Sequence, residues 1–219
     1  MGWLQILYAK LSPRLSFIPF RTTIKNMKKI KEIRACFLCK ALNVKQIQKG
    51  KKIFFQCPSC KKMSARFYEI SSATKARNTK FGKTHYSAGA LIEKDGKYLV
   101  SKRTFYPFLY TLVGGHVDKG ETMEKALARE IKEETGLNVK DKKLIFKGII
   151  NPDPCTRGVD IHYWNLFLVH AKGILKMNAF ESVHLRWLTK RQMARLRFTP
   201  PITYIFKKLK FFLDINVFF

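Results

Sequence analysis

Three glutamates stand close together in a segment whose apolar pattern predicts an amphipathic helix. Glu130, Glu133 and Glu134 are spaced so that all three carboxylates lie along one helix face. Like charges at this spacing repel one another, so the face needs a positive partner. Divalent cations such as Mg²⁺ bind carboxylate oxygens and keep several waters for a phosphate substrate. These residues therefore predict metal-assisted phosphoryl chemistry.

A second group of residues with metal-binding chemistry lies nearer the amino terminus. Two Cys-x-x-Cys pairs, seventeen residues apart, provide Cys36, Cys39, Cys57 and Cys60. Four thiolates at this spacing are typical of one tetrahedral Zn²⁺, which leaves no coordination position open for chemistry. The pattern predicts a small zinc ribbon with a structural ion. Lysines around Phe54 and Phe55 suit contact with RNA phosphates and bases, although a solvated basic face over a small core explains them equally well.

The surrounding elements must place the glutamates against a sheet. A helix is predicted over roughly residues 121–135, where apolar residues recur at helical spacing and Gly136 ends the pattern. A hairpin is predicted over residues 88–101 around Asp95-Gly96, with further strands near residues 109–113, 144–150 and 163–169. Helical patterns over residues 189–196 and 202–213 complete an α/β fold.

The glutamate helix and its flanking residues resemble a known family. Gly115, Glu121, Arg129-Glu130, Glu133-Glu134 and Gly136 stand at the spacings of the Nudix box, and every defining position of the box is matched across 23 residues. The resemblance covers about residues 84–197. It implies a Nudix α/β/α sandwich with a mixed β-sheet, preceded here by the small zinc ribbon. It also implies hydrolysis of a nucleoside diphosphate linked to another moiety.

The resemblance implies a role for each matched residue. Glu133 and Glu134 would bind Mg²⁺ or Mn²⁺, and Glu130 would be a further ligand or help to activate water. Arg129 would orient the glutamates, which makes these four the expected catalytic residues. Glu121, Gly115 and Gly136 would support the box. Which carboxylate acts as general base differs within the family and stays open.

A further acid often comes from outside the box in relatives. Many relatives carry Glu three residues before the late Trp, but here His184 stands three residues before Trp187. Glu181 is the leading candidate for the extra acid, with Asp153 and Asp160 as alternatives. Cys155, outside the four-cysteine group, is expected to be a free thiol without a role.

The order of a zinc ribbon before a Nudix domain is similar to that of NAD(H) diphosphatases. Their Ser-Gln-Pro-Trp-Pro-Phe-Pro segment after the box is absent, and Asn151-Pro152-Asp153-Pro154 occupies that region. The favoured substrate is therefore a small nucleotide such as ADP-ribose, a similar nucleotide sugar or a dinucleotide. The alternatives are NAD(H), a capped RNA end, and a non-enzymatic protein that senses a nucleotide or binds nucleic acid.

Composition limits the remaining possibilities. The chain has 219 residues with 43 Lys and Arg against 15 Asp and Glu, a formal net charge of +28. Such a charge attracts polyanions, although biased residue usage explains it as well. No apolar stretch approaches the roughly 18 residues of a membrane-spanning helix. A cytoplasmic location is expected, with organellar targeting as the alternative, and a homodimer is a further expectation.

The predicted organisation has five parts. A basic leader over residues 1–30 is expected to be disordered or processed. The zinc ribbon follows at residues 31–70 and a polar linker at 71–83. The Nudix domain spans residues 84–197, and residues 198–219 form an aromatic, basic C-terminal helix.

Overall fold

A computed structural model describes residues 33–71 and 73–213 of the chain. The expected basic leader over residues 1–30 lies outside the described residues, as do the last six residues of the expected C-terminal helix. Within the described ranges, no helix is long and apolar enough to span a membrane.

Five short strands form the segment that carries the four-cysteine group. Strand β1 pairs with β5, and β3 pairs with both β2 and β4, all antiparallel. The buried apolar cluster of this segment consists of Ile53, Phe55 and Phe67. So small a core stabilises little by itself, which is typical of a metal-supported unit. The strands are β1 Ile33–Cys36, β2 Lys45–Lys49, β3 Lys52–Gln56, β4 Met63–Ser64 and β5 Phe67–Ser71.

The remaining strands form one mixed sheet. Its main path runs β11-β12-β7-β8-β13, with β6 and β10 pairing along β7 and β9 pairing with β8. The β7–β12 pair is parallel and the other pairs are antiparallel. The strands are β6 Ala76–Thr79, β7 Gly82–Lys94, β8 Lys97–Arg103, β9 Tyr110–Thr111, β10 Val113–His116, β11 Asn138–Ile150, β12 His162–Lys172 and β13 Ser182–Leu188.

Helices cover both faces of this sheet. The helices are α1 Met123–Thr135, α2 Lys190–Met193 and α3 Pro200–Lys208. On β7, Ala90 and Ile92 belong to the apolar cluster that contains α1, whereas Leu91 belongs to the cluster that contains α2 and α3. This alternation follows from the two-residue period of a strand. The predicted α/β/α sandwich around a mixed sheet is confirmed.

Local residues determine where α1 begins and ends. Thr122 caps the amino terminus, its side chain accepting a hydrogen bond from the backbone N–H of Lys125 at 3.2 Å. Gly136 ends the helix in the left-handed conformation, with φ of 72°. The predicted hairpin is also confirmed: Asp95 and Gly96 join β7 to β8 with φ of 52° and 70°. Positive φ at both positions is the requirement of a primed turn.

Two expected segments differ in the structure. The polar linker at residues 71–83 contains β6, which pairs with the start of β7. Its residues are polar because β6 is largely exposed along the sheet edge. The C-terminal helix expected over residues 198–219 begins at Pro200 and ends at Lys208. Phe211 then lies in a turn and stacks on Phe206, with 4.5 Å between ring centroids, because the apolar residues after α3 complete the core.

Candidate active site

Three of the four glutamates of α1, Glu130, Glu133 and Glu134, line the cavity beside strand β10. Glu134 is buried, and its Oε1 accepts a hydrogen bond from the backbone N–H of Gly114 at 3.0 Å. The Glu130 side chain is 15% exposed, whereas that of Glu133 is 61% exposed and lies toward solvent. The helix thus presents three carboxylates to the same region, as the spacing predicts. Glu134 is held by a hydrogen bond, Glu130 is mostly buried and Glu133 is accessible.

Arg129 links these carboxylates to the loop before the helix. Its Nε and Nη2 donate to the two carboxylate oxygens of Glu121, each at 3.0 Å. Its Nη1 donates to Glu130 at 2.7 Å and approaches Glu133 at 3.5 Å, while Nη2 also donates to the carbonyl of His116 at 3.0 Å. The two-point contact with Glu121 fixes the plane of the guanidinium. Arg129 and Glu121 are therefore placed to orient the other acids.

Two glycines of β10 allow close packing, Gly114 against strand β7 and Gly115 against Glu130 of α1. Gly114 has φ of 147°, and a Cβ there would clash with the backbone carbonyl oxygen of Ala88. A Cβ on Gly115 would lie 2.5 Å from Oε1 of Glu130 and 2.6 Å from its Cδ. The backbone must pass this close because Glu130 occupies the space that a side chain would take.

Burial leaves the acids short of compensating charge. Burial raises the pKa of Glu130 to about 7, even though Arg129 acts in the opposite direction. Burial also raises the pKa of Glu134 well above its usual range, and the nearby charge of Glu130 adds to that shift. Both shifts mean that the described protein groups do not fully stabilise the ionised carboxylates.

Glu181 lies beside the box acids, just before β13. Burial raises its pKa, while Arg103 and Arg157 lower it and Glu133 raises it, which places all three charges near its carboxylate. The alternatives lie elsewhere: Asp160 pairs with Arg66 at 2.5 Å and its side chain is 56% exposed.

Asp153 contacts a histidine rather than the box. Its Oδ2 lies 3.1 Å from Nδ1 of His162. His184 pairs with Lys102 across β13 and β8, and it does not line the cavity beside the box glutamates.

One cavity of about 480 Å³ joins the box to the ribbon segment. Its lining includes the carboxylates of Glu130, Glu133, Glu134 and Glu181 and the guanidinium groups of Arg34, Arg103 and Arg157. Phe55 and Phe67 of the ribbon segment also line it. A cavity lined by both carboxylates and guanidinium groups suits a metal-bound diphosphate.

The four predicted zinc ligands converge. Cys36 Sγ lies 3.8 Å from Cys60 Sγ, and Cys39 Sγ lies 3.6 Å from Cys57 Sγ. All four sulfurs are within 4.8 Å of one another. Sulfurs bound to one zinc at about 2.3 Å lie roughly 3.8 Å apart in a tetrahedron. The geometry is compatible with one Zn²⁺ held by the four thiolates.

Cys57→Ser is expected to remove about one zinc ion per purified chain and to open the ribbon segment to proteolysis. Cys57 is buried, and its Sγ accepts the backbone N–H of Cys60 at 3.4 Å, so the loss of one thiolate leaves the other three poorly placed. Zinc content by mass spectrometry and limited proteolysis would test this. Unchanged zinc content would contradict a four-thiolate site, and Ser59→Ala, between the two cysteines, is the matched control.

Residues that the sequence did not single out also converge beside the cavity. His85 and His162 lie near His116 and Cys155, with one ligand atom of each within 4.8 Å of the others. Cys155 was expected to be a thiol without a role, and its position beside three histidines does not fit that expectation. The signal in the sequence is weak, because the four residues belong to four separate segments.

Comparison with known proteins places the chain in a family. Residues 83–209 match the NUDIX domain, which is more than half of the chain. The chain belongs to the Nudix family. The matched Nudix segment begins in β7 and includes α3.

Two curated Nudix relatives are similar over short segments. An ADP-ribose pyrophosphatase of Methanocaldococcus jannaschii is 51% identical over 71 residues, which cover 31% of this chain and 41% of that protein. The nucleoside triphosphatase NudI of Escherichia coli is 48% identical over 50 residues, or 21% of this chain and 36% of NudI. The chain thus spans about two-fifths or less of the length of these relatives.

Solved Nudix structures are similar over a larger part of the chain. A MutT NUDIX hydrolase from Burkholderia pseudomallei covers 56% of this chain and 95% of its own, at 24% identity and a TM-score of 0.49. The NUDIX domain of Shewanella oneidensis NrtR, solved with ADP ribose, covers 59% of this chain and 88% of its own, at 15% identity and a TM-score of 0.49.

Proposed function

We propose that this protein is a divalent-metal-dependent pyrophosphohydrolase that cleaves the diphosphate of a nucleoside diphosphate linked to another moiety. The observation that carries the proposal is the set of Nudix-box acids gathered around Arg129, with Glu134 hydrogen bonded to Gly114 at the wall of a cavity. Every defining position of the Nudix box is matched, and the chain belongs to the Nudix family.

Mg²⁺ or Mn²⁺ fits the carboxylates that line the cavity. Glu130, Glu133 and Glu134 offer carboxylate oxygens, the ligands that these hard cations prefer. The raised pKa values of Glu130 and Glu134 mean that burial disfavours their ionised forms, which a bound cation would stabilise. When bound, such a cation polarises the phosphate and lowers the pKa of a bound water.

The protein's own groups then have separate tasks. Arg129 holds Glu130 at 2.7 Å and so keeps one ligand in place. Arg103 and Arg157 also line the cavity and would bind the charged phosphate oxygens. Glu181 lies near Glu133 and is the proposed acid from outside the box. A raised pKa suits a group that accepts a proton from water near neutral pH.

ADP-ribose is the proposed substrate. The support is the relative from Methanocaldococcus jannaschii, an ADP-ribose pyrophosphatase that is 51% identical over 71 residues. Water would attack one phosphorus, the bridging P–O bond would break, and the products would be AMP and ribose 5-phosphate. The proposal includes no further partner, and the expected homodimer and cytoplasmic location stay predictions.

A substrate panel with Mg²⁺ or Mn²⁺ tests this proposal. ADP-ribose, NADH, diadenosine polyphosphates, nucleoside triphosphates and capped RNA would be compared at equal concentration, with products separated by chromatography. The highest kcat/KM is expected for ADP-ribose. If nucleoside triphosphates were turned over in preference, the proposed substrate class would be wrong. Tight binding of nucleotides without turnover of any would indicate a nucleotide sensor instead of an enzyme.

An RNA end is the second candidate substrate. The supporting observation is that Arg34, Phe55 and Phe67 of the ribbon segment line the same cavity as the box glutamates. Basic and aromatic side chains beside the reacting phosphates suit contact with the nucleotides of an RNA chain that extends out of the cavity. Arg34→Gln would then lower kcat/KM on capped RNA far more than on ADP-ribose, whereas equal losses would remove this candidate.

A further inference from the structure

Four side chains outside the Nudix box and the four-cysteine group converge next to the cavity. We propose that His85, His116, Cys155 and His162 form a second transition-metal site, which takes Zn²⁺. One ligand atom from each lies within 4.8 Å of the other three. Three of the five histidines of the chain are therefore gathered around the one cysteine that lies outside the tetrad. This proposal does not rest on the proposed hydrolase activity.

The register of the sheet brings the histidines together. His85 and His162 are direct partners on the parallel strands β7 and β12. His116, at the end of β10, is opposite Ser87, two residues beyond His85 on β7. Residues two apart on a strand share a face, so three adjacent strands present a histidine to the same side. The backbone pairing thus places the three imidazoles on the same side of the sheet.

The ring geometry resembles that of metal ligands. Nε2 of His116 lies 3.2 Å from Nε2 of His162. Two nitrogens bound to one zinc at about 2.0–2.1 Å lie roughly 3.3 Å apart in a tetrahedron. The centroids of the three imidazole rings are 5.2, 5.3 and 5.7 Å apart, so each ring contacts the other two.

A carboxylate lies behind one ring of the cluster, at ion-pair distance. Oδ2 of Asp153 lies 3.1 Å from Nδ1 of His162 and accepts a hydrogen bond from Trp164 Nε1 at 2.6 Å. A carboxylate on one imidazole nitrogen leaves the other nitrogen to coordinate a metal, the arrangement found behind many zinc-bound histidines. Asp153 therefore has a positioning role here rather than a place among the box acids.

The burial of His85 is an independent observation that points to a bound ligand. Its side chain is fully buried, and within the described residues neither ring nitrogen has a hydrogen-bond partner. Oε2 of Glu69 lies 3.9 Å from Nε2 of His85, beyond hydrogen-bond distance. A buried imidazole without a hydrogen bond is costly, and a metal ion bound to one nitrogen would remove that cost.

The donor set selects the metal and its role. Three imidazole nitrogens and one thiolate suit Zn²⁺ and disfavour Mg²⁺, which prefers oxygen ligands. Four protein ligands fill a tetrahedral site, so the ion would be structural. Cys155 lies in the segment between β11 and β12 that also carries Arg157. The ion would tie this segment to the sheet and hold Arg157 at the wall of the cavity.

Zinc content of the purified full chain tests the proposal. We expect two zinc ions per wild-type chain, and the loss of one in Cys155→Ser and of a different one in Cys57→Ser, so that the double variant loses both. His170→Gln is the matched control, because His170 is exposed and pairs with Glu93 and Asp141 away from the cluster. Full zinc content in folded Cys155→Ser would overturn the site.

A spectroscopic measurement separates this site from the ribbon. With Co²⁺ in place of zinc, Cys57→Ser is expected to keep a thiolate-to-cobalt absorption band that disappears when Cys155→Ser is added. If Cys155→Ser does not fold, His116→Gln is the second variant, since His116 is only partly buried. No difference between Cys57→Ser and the double variant in cobalt absorption would also overturn the proposal. None of these measurements depends on turnover.

Discussion

Glu134→Gln is expected to lower kcat on the preferred nucleotide by about 10³-fold at saturating Mg²⁺. The side chain of Glu134 lies between α1 and β10, and its Oε1 already accepts a hydrogen bond from the N–H of Gly114 at 3.0 Å. The amide of glutamine can keep that hydrogen bond but cannot supply the charge that a divalent cation needs. The fold is therefore preserved while metal-assisted chemistry is lost.

Thermal unfolding should move in the opposite direction from activity. Burial raises the pKa of Glu134, so the ionised carboxylate is unfavourable without a cation, and glutamine removes that burden. We expect an equal or higher Tm for the metal-free variant. Glu124→Gln is the matched control, because Glu124 is an exposed acid in the first turn of the same helix. More than about a tenth of wild-type activity in Glu134→Gln would place the reaction elsewhere.

Gly115→Ala is expected to lower kcat/KM by about 10²-fold while the protein stays folded. The new Cβ would lie 2.5 Å from Oε1 of Glu130, so this carboxylate must move. The carboxylate of Glu130 is the end of a flexible side chain, so it can move without a shift of the backbone. Its displacement would break the 2.7 Å contact with Arg129. Steady-state kinetics on the preferred substrate, with circular dichroism for the fold, would measure the effect.

A strand glycine elsewhere provides the control. At Gly148 on β11, an added Cβ would meet Phe146 at 3.4 Å, an ordinary contact, so Gly148→Ala should keep its activity. Gly114→Ala should instead destabilise the fold, because the clash there is with backbone. Normal kcat/KM in folded Gly115→Ala would show that the position of Glu130 is not critical.

Much of the site could be predicted because its residues are close in sequence. Glu130, Glu133 and Glu134 share a face by helical periodicity alone, and Gly136 marks the end of the helix by its conformational freedom. The Asp95-Gly96 turn is equally local. Such features follow from the spacing of residues within one element, which is visible without knowing how strands pair.

The rest depends on long-range pairing. The parallel alignment of β7 with β12 places His85 against His162, although 76 other residues separate them in the chain. Edge strand β6 looked like a linker because its exposed residues have the composition of a loop. Glu181 reaches the box acids from the segment before β13, and spacing within the box contains no information about that approach.

The hydrogen bond from Gly114 to Glu134 also bears on how mutations affect the site. A backbone N–H remains whatever side chain a residue carries, unless that residue becomes proline. The position of Glu134 is thus insulated from most single substitutions among its neighbours. Sensitivity is concentrated instead at two glycines, Gly114, which packs against the backbone of β7, and Gly115, which packs against the carboxylate of Glu130. Random mutagenesis should therefore find Gly114 and Gly115 among the least tolerant positions, although neither carries a reactive group.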